Sequence, residues 1–349
     1  MIEYVGAIHI HSTYSDGSGS VNDIIKVAQE VDLDYIILTD HNTLRAKTDG
    51  KEGWYNNTFL LVGTEINDRK NLNHYLALGI DKAFSTRISA KEYVSKVNEK
   101  GGIGFIAHPH EERSSMKEHP PYPWNEWDSN DFTGIEIWNH MSEWMEGLNE
   151  QNKYNHFVHP LKSIKFPSKK TLAKWDELNI KRKVVGIGGI DAHAHKQNFM
   201  GFFEVEIFPY KVLFKSIRTH LLCDTRLHKS NKGVEFAEDK NEILRTLKSG
   251  RVFFSNYYHG NAKGFRFFAQ DSNMIYHMGE SVEFNNKIRL RVILPNISGT
   301  IRLIANGNLI DEGENIDAEF VISRSGAYRV EVYLDGKAWI YSNHIRIGL

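Results

Sequence analysis

The amino-acid sequence predicts a distorted α/β barrel followed by a smaller all-β sandwich, on three observations. Across the first two-thirds of the chain, apolar runs of strand length alternate with helical patterns, the signature of parallel βα units closing into a barrel. Beyond about residue 258 the pattern changes to short alternating strands with Gly and Asn turns. The length, 349 residues, also exceeds what one hydrophobic core usually fills. We therefore divide the chain into a large domain, 1–258, and an immunoglobulin-like β-sandwich, 259–349.

Taken in order, strands are expected at 4–10, 35–39, 59–64, 103–107, 134–138 and 184–190. A helix over 21–31 opens on Ser20 as N-cap, and a second over 89–100 ends at Gly101 and Gly102. Next come a strand over 202–208, a helix near 211–220, a helix over 240–249 closed by Gly250, and a strand over 252–255. The sandwich strands fall at 287–294, 301–306, 318–322 and 328–335. Residues 110–132, rich in Arg, His, Pro and Trp and without a period, read as a long functional loop.

Lys+Arg number 43 against Asp+Glu 44, so no overall basic field draws the chain to nucleic acid or a membrane surface. No apolar run approaches the length of a membrane span. The single cysteine, Cys223, excludes an internal disulfide and fits a reducing, cytoplasmic location. The 17 histidines, by contrast, are about twice the number average composition would give.

Their placement is informative. His9 and His11 lie two apart at the end of the first strand, so strand alternation points both the same way. Asp191 and His193 repeat the spacing, with His195 continuing it. His41 follows Asp40 after the second strand, Glu65 closes the third, and His108 follows 103–107. In a parallel barrel such strand ends converge on one face. His74 breaks the rule by opening a run instead of closing one, and Asp16 sits in the loop after the first strand. Each has a plainer reading: Asp16 as an Asx-turn with Gly17, Asp40 or Asn42 as a helix cap, His74 as an ordinary strand histidine. Together they make a His and carboxylate set too large for one ion, suited to two or three divalent ions of zinc, manganese or iron. Ions held close together activate water and neutralise charge on a substrate oxygen, so hydrolysis is the expected reaction class.

His9-Ile-His11-Ser12 with Ser15-Asp16-Gly17, Thr39-Asp40-His41-Asn42, Gly63-Thr64-Glu65, Ala107-His108-Pro109 and Gly189-Ile-Asp191-Ala-His193 resemble the successive motifs of the PHP (polymerase and histidinol phosphatase) superfamily over roughly residues 4–255. The later Gly250-Arg251-Val252-Phe253 and the β-rich tail are similar to its CehA/McbA-type branch. The resemblance implies a (β/α)7-like barrel and a trinuclear site. One ion would take His9, His11, Glu65 and Asp191, with Glu65 bridging. The second would take Glu65, His74 and His108, and the third Asp16, His41 and His193.

Beside these, Glu65 is expected to be indispensable to catalysis, Arg113 to clamp a phosphate, and His110 or His195 to protonate a leaving oxygen. Arg113 reads equally well as a surface partner of Glu111 or Glu112. Phosphate mono- or diester hydrolysis of a small molecule is the leading expectation. Hydrolysis of a carbamate, carboxylic ester or amide is the alternative, and a non-enzymatic metal- or carbohydrate-binding protein is the reading from another class. An oligomer is compatible with the sequence, and the tail is expected to pack on the barrel without supplying ligands.

Overall fold

The computed structural model describes residues 1–113, 120–199, 203–272 and 274–349. Seven staves form a ring. Strand Ile2–Ile10 runs parallel to Tyr35–Leu38, which runs parallel to Thr58–Val62. That strand leads within two residues into Thr64–Ile66, which pairs with Tyr75–Leu78; Ile103–Ile106, Gly134–Asn139 and Val185–Gly189 follow. The ring closes where Ile10 bridges Ala192 and Ile190 N donates to Ile8 O at 3.0 Å. These strands are buried along nearly their whole length, as expected of staves covered on the outside by helices and filled within.

Helices Val21–Glu30 and Ala90–Glu99 carry the expected caps: the Ser20 and Ser89 hydroxyls accept from the amides of Asp23 and Glu92, each at 3.3 Å. Helix Gly233–Ser249 ends on Gly250 at φ 82°, a left-handed position that glycine adopts without strain.

Two expectations are corrected. The barrel is not wholly parallel, because Tyr75–Leu78 is antiparallel to both neighbours. The helix expected at 211–220 is instead a short helix, Tyr210–Leu213, followed by the buried strand Ile217–Cys223, antiparallel to the first strand. An exposed amphipathic helix needs a polar face, and this segment sits between two strands with both faces covered.

The expected strand near 202–208 is found as Phe203–Ile207, paired antiparallel with His195–Phe199, while residue 202 falls outside the described residues, as do 114–119 of the expected loop. Helices absent from the sequence expectation, His140–Gly147, Lys153–Val158 and Lys169–Lys181, follow the strand Gly134–Asn139.

Beyond Val252–Asn256 the chain forms a four-stranded sheet and a second layer around a separate apolar core that includes Phe267, Leu290, Val330 and Trp339. That second layer is not detached from the barrel. Strand Lys337–Ser342 pairs with Val252–Asn256, so one twelve-stranded sheet runs from the first barrel strand into the tail. Asn343 adds a side-chain bridge, accepting from Gly186 N at 2.7 Å and donating to Gly186 O and Val252 O, both at 2.8 Å. Behind it the Arg329 guanidinium straddles both oxygens of Asp176 at 2.7 and 2.8 Å, and His344 reaches the same carboxylate at 2.7 Å. No helix among the described residues is long and apolar enough to cross a membrane.

Candidate metal centre

The first strand delivers His9 and His11 by a route that simple alternation does not foresee. Its register shifts between Ile8 and Ile10, and His9 has φ 70°. His108 at φ 26° and Asp191 at φ 52° are likewise left-handed, although none of the three is glycine. Such positions are held by their surroundings and concentrate where side chains must be aimed. The antiparallel strand explains His74: its beginning lies at the end where the other strands finish, and His74 arrives beside Glu65.

Glu65, 1% exposed, is the hub. Its Oε2 lies 3.1 Å from His9 Nε2, 3.2 Å from His11 Nε2 and 3.4 Å from His41 Nδ1. Its Oε1 lies 2.8 Å from His74 Nδ1 and 3.3 Å from His108 Nε2. Asp191 Oδ1 completes the first group at 3.4 Å from both His9 Nε2 and His11 Nε2. Asp16 closes a further group, 3.4 Å from His193 Nε2 and 3.7 Å from His11 Nδ1 and His41 Nε2. The nine ligand candidates are therefore brought together, eight of them in three groups whose donor atoms could each hold an ion: His9, His11, Glu65, Asp191; His11, Asp16, His41, His193; and His41, Glu65, His74. His11, His41 and Glu65 each serve two groups, while His108, outside all three, meets the hub from the other side.

The donor set fits divalent cations. Both ring nitrogens of His11, with His41 Nδ1 and His74 Nε2, are buried without a hydrogen bond, although carboxylate oxygens lie close to most of them. Lone pairs aimed at a carboxylate without hydrogen-bond alignment suit a shared cation. In the metal-free protein burial favours neutral groups, yet the surrounding imidazoles hold the Glu65 and Asp191 carboxyls well below the usual range. Burial also opposes protonation of His11, but Asp191 and Glu65 push it up to about 9. At His41 burial prevails and the ring falls to about 4, neutral and ready to donate.

The sequence reasoning missed Glu136. Its Oε1 takes His9 Nδ1 at 2.9 Å, while Oε2 accepts from His108 N at 2.9 Å and from Asn139 Nδ2 at 2.8 Å. A carboxylate behind an imidazole fixes its tautomer and orientation. Gly189 makes room, since a Cβ there would meet Glu136 Oε1 at 1.8 Å. Asp40 is no cap for a following helix: it accepts from Ser12 N, Ser12 Oγ and Ser15 Oγ, all at 2.8 Å, and so shapes the loop that carries Asp16. Gly17 is required there because a Cβ would fall 2.2 Å from His11 O.

Of the other candidates, His195 is exposed at the wall of the cavity above the cluster, its ring 4.9 Å from that of His193. Arg113 lines the same cavity, bonded to Glu111 and lying 5.5 Å from the Tyr122 ring. Tyr122 in turn stacks on His74 at 4.9 Å. His110 faces elsewhere, into a second cavity, where it meets Thr171 Oγ1 at 3.1 Å and stacks on Trp127.

Residues 7–163 match the PHP domain family. An uncharacterized protein of Methanocaldococcus jannaschii is 26% identical over 117 residues, a match covering 30% of this chain and 66% of that protein, so the chain spans just under two thirds of that relative. Among solved structures, a two-domain protein of Bacteroides vulgatus containing a predicted PHP-like metal-dependent phosphoesterase is similar over 98% of this chain and 95% of that one, at 14% identity and a TM-score of 0.46. An amidohydrolase from Chromobacterium violaceum, solved with sulfate, is similar over 54% of this chain and 87% of that one, at 14% identity and a TM-score of 0.33. Seven of the nine ligand candidates, His9 to His108, fall inside the span that matches the PHP domain family.

Proposed function

We propose that this protein is a metal-dependent hydrolase acting on a small phosphate mono- or diester. The observation that carries the reading is Glu65, a buried carboxylate whose two oxygens are met by five imidazoles at the floor of an open cavity. His9, His11, Glu65 and Asp191 would hold one ion, Glu65 with His74 and His108 a second, and Asp16, His41 and His193 a third. Zinc, manganese or iron held there would supply Lewis acidity and activate water. Two or three divalent ions there would be the largest local charge on a chain of net charge −1, which would favour a substrate that brings negative charge of its own.

The remaining steps fall to the chain's own side chains. His195, on the cavity wall, would give a proton to the leaving oxygen. Arg113, its charge partly offset by Glu111, would orient a phosphoryl oxygen more than attract it. His110 is left out of this scheme because it opens on the second cavity. The apolar wall of the main cavity favours a second reading, hydrolysis of a carboxylic or carbamic ester or amide at the same cluster.

Metal-replete protein assayed against chromogenic phosphate mono- and diesters, aryl esters and carbamates separates the two. Turnover of phosphate esters well above the neutral esters is expected, and the reverse order would transfer the assignment to the second reading.

A further inference from the structure

The cavity over the cluster, about 910 Å³, is far larger than a phosphoryl group requires, and its two halves differ in kind. One half is the floor of imidazoles and carboxylates. The other is apolar, formed by Met141, Trp144 and Met145 of the helix His140–Gly147, Phe157 of the helix Lys153–Val158, and Ile207 with Phe208. Trp144 packs edge-on against Phe157 at 4.8 Å and Phe208 at 4.6 Å, which fixes the wall as a unit. Trp144 and Met145 are core residues in their own right. Met141, Phe157 and Ile207 are the informative members, because each leaves apolar surface open on the cavity. Phe157 is 38% exposed, and on the same short helix Tyr154, one turn earlier, and Val158 are 83% and 61% exposed. The apolar surface therefore continues from beside the cluster out to solvent. Pockets that bind organic ligands show this division, an apolar lining with a few convergent polar groups.

We propose that the substrate is amphiphilic: an ester whose anionic head lies at the cluster and whose apolar chain lies along Met141, Trp144, Met145 and Phe157 toward the mouth. The identity of the head rests on the phosphoester reading above; the chain subsite rests on the wall. Two methionines, unbranched and adaptable, suit chains of differing shape more than one rigid ring.

The test is calorimetric titration of metal-loaded protein with methyl-, butyl-, hexyl- and octylphosphonate, whose carbon–phosphorus bond resists hydrolysis, with inorganic phosphate and the matching n-alcohols as references. Affinity should rise about two- to fourfold for each methylene laid on the wall and level off once the chain reaches solvent. Met141→Gln and Phe157→Ser, both at partly exposed positions, should each flatten that rise while leaving inorganic phosphate binding unchanged. Affinity independent of chain length, or a rise that survives in both variants, overturns the subsite. A rise shown by the alcohols and alkylphosphonates alike, together with no hydrolysis of any phosphate ester, upholds the subsite and removes the phosphate head instead.

Discussion

Glu136 shows how a residue can govern a site without joining it. Its carboxylate aims His9 and pins the backbone of His108, so Glu136→Gln should lower metal affinity about 10- to 100-fold while the fold is retained. Chelator competition read by metal content would check this, and unchanged affinity would reduce Glu136 to a packing residue. Glu65→Gln should lose metal and activity together, because Glu65 is the carboxylate shared between groups; full metal content with activity would refute the bridge.

The titration of the site gives a third expectation. His11 and His108 are both raised to about 9 in the metal-free protein, against an ordinary 6.5; burial opposes this, and nearby carboxylates, Asp191 and Glu65 for His11 and Glu111 and Glu65 for His108, override it. A base whose folded pKa is raised stabilises fully below its unfolded value and loses that contribution as pH climbs to the folded one. The melting temperature of chelated protein should therefore fall between pH 6.5 and about 9, whereas metal-loaded protein, with neutral imidazole ligands, should not follow it. A flat chelated profile would contradict the assignment. The ligand residues were legible in the sequence because His and Asp pairs recur at the ends of apolar runs. Glu136 left a fainter mark: a lone acid among Ile135, Ile137 and Trp138 in a strand buried throughout.

At the scale of elements, periodicity located the barrel strands to within a few residues, and the two capped helices with them. It could not give strand direction. The inverted strand Tyr75–Leu78 looks like its neighbours in composition, yet its inversion turns His74 from an anomaly into a ligand candidate. Nor did alternation account for His9, which reaches the cluster through a bulge. Residues 217–220 read as the end of a helix because a strand covered on both faces has no alternation to display. Spacing between elements is also tight: Gly189→Ala would drive a methyl into Glu136. We expect it to cost about 1–3 kcal/mol in stability and to weaken metal retention, measured by thermal unfolding and metal content of the same preparation. A variant as stable and as metal-rich as the parent would show that the strand can shift at no cost.

At the scale of the whole molecule, length and patterning pointed to a second domain; the tail has an apolar core of its own, but neither signal could indicate that one sheet would join it to the barrel. Arg329, 3% exposed, is the clearest measure of that joint, held by Asp176 from the barrel side and Glu331 from its own strand. Arg329→Leu would leave the buried Asp176 carboxylate without its guanidinium, with His344 as its remaining partner, at a cost of about 3–5 kcal/mol. A single cooperative transition at lower temperature is expected by calorimetry, and two separate transitions would mean the halves melt independently.

The shared sheet also bears on how the protein is made. A nascent chain that has emerged only as far as Asn256 exposes a strand edge whose partner, Lys337–Ser342, has yet to be synthesised. The strand that leads to Asp191 meanwhile lacks the Asn343 clasp on Gly186. We therefore expect metal uptake to wait for synthesis of residues 337–343, and not to follow completion of the barrel alone. Stalled ribosome complexes displaying the first 258 residues should retain little zinc or manganese compared with those displaying the full chain, and equal retention would mean that the centre matures before the tail arrives.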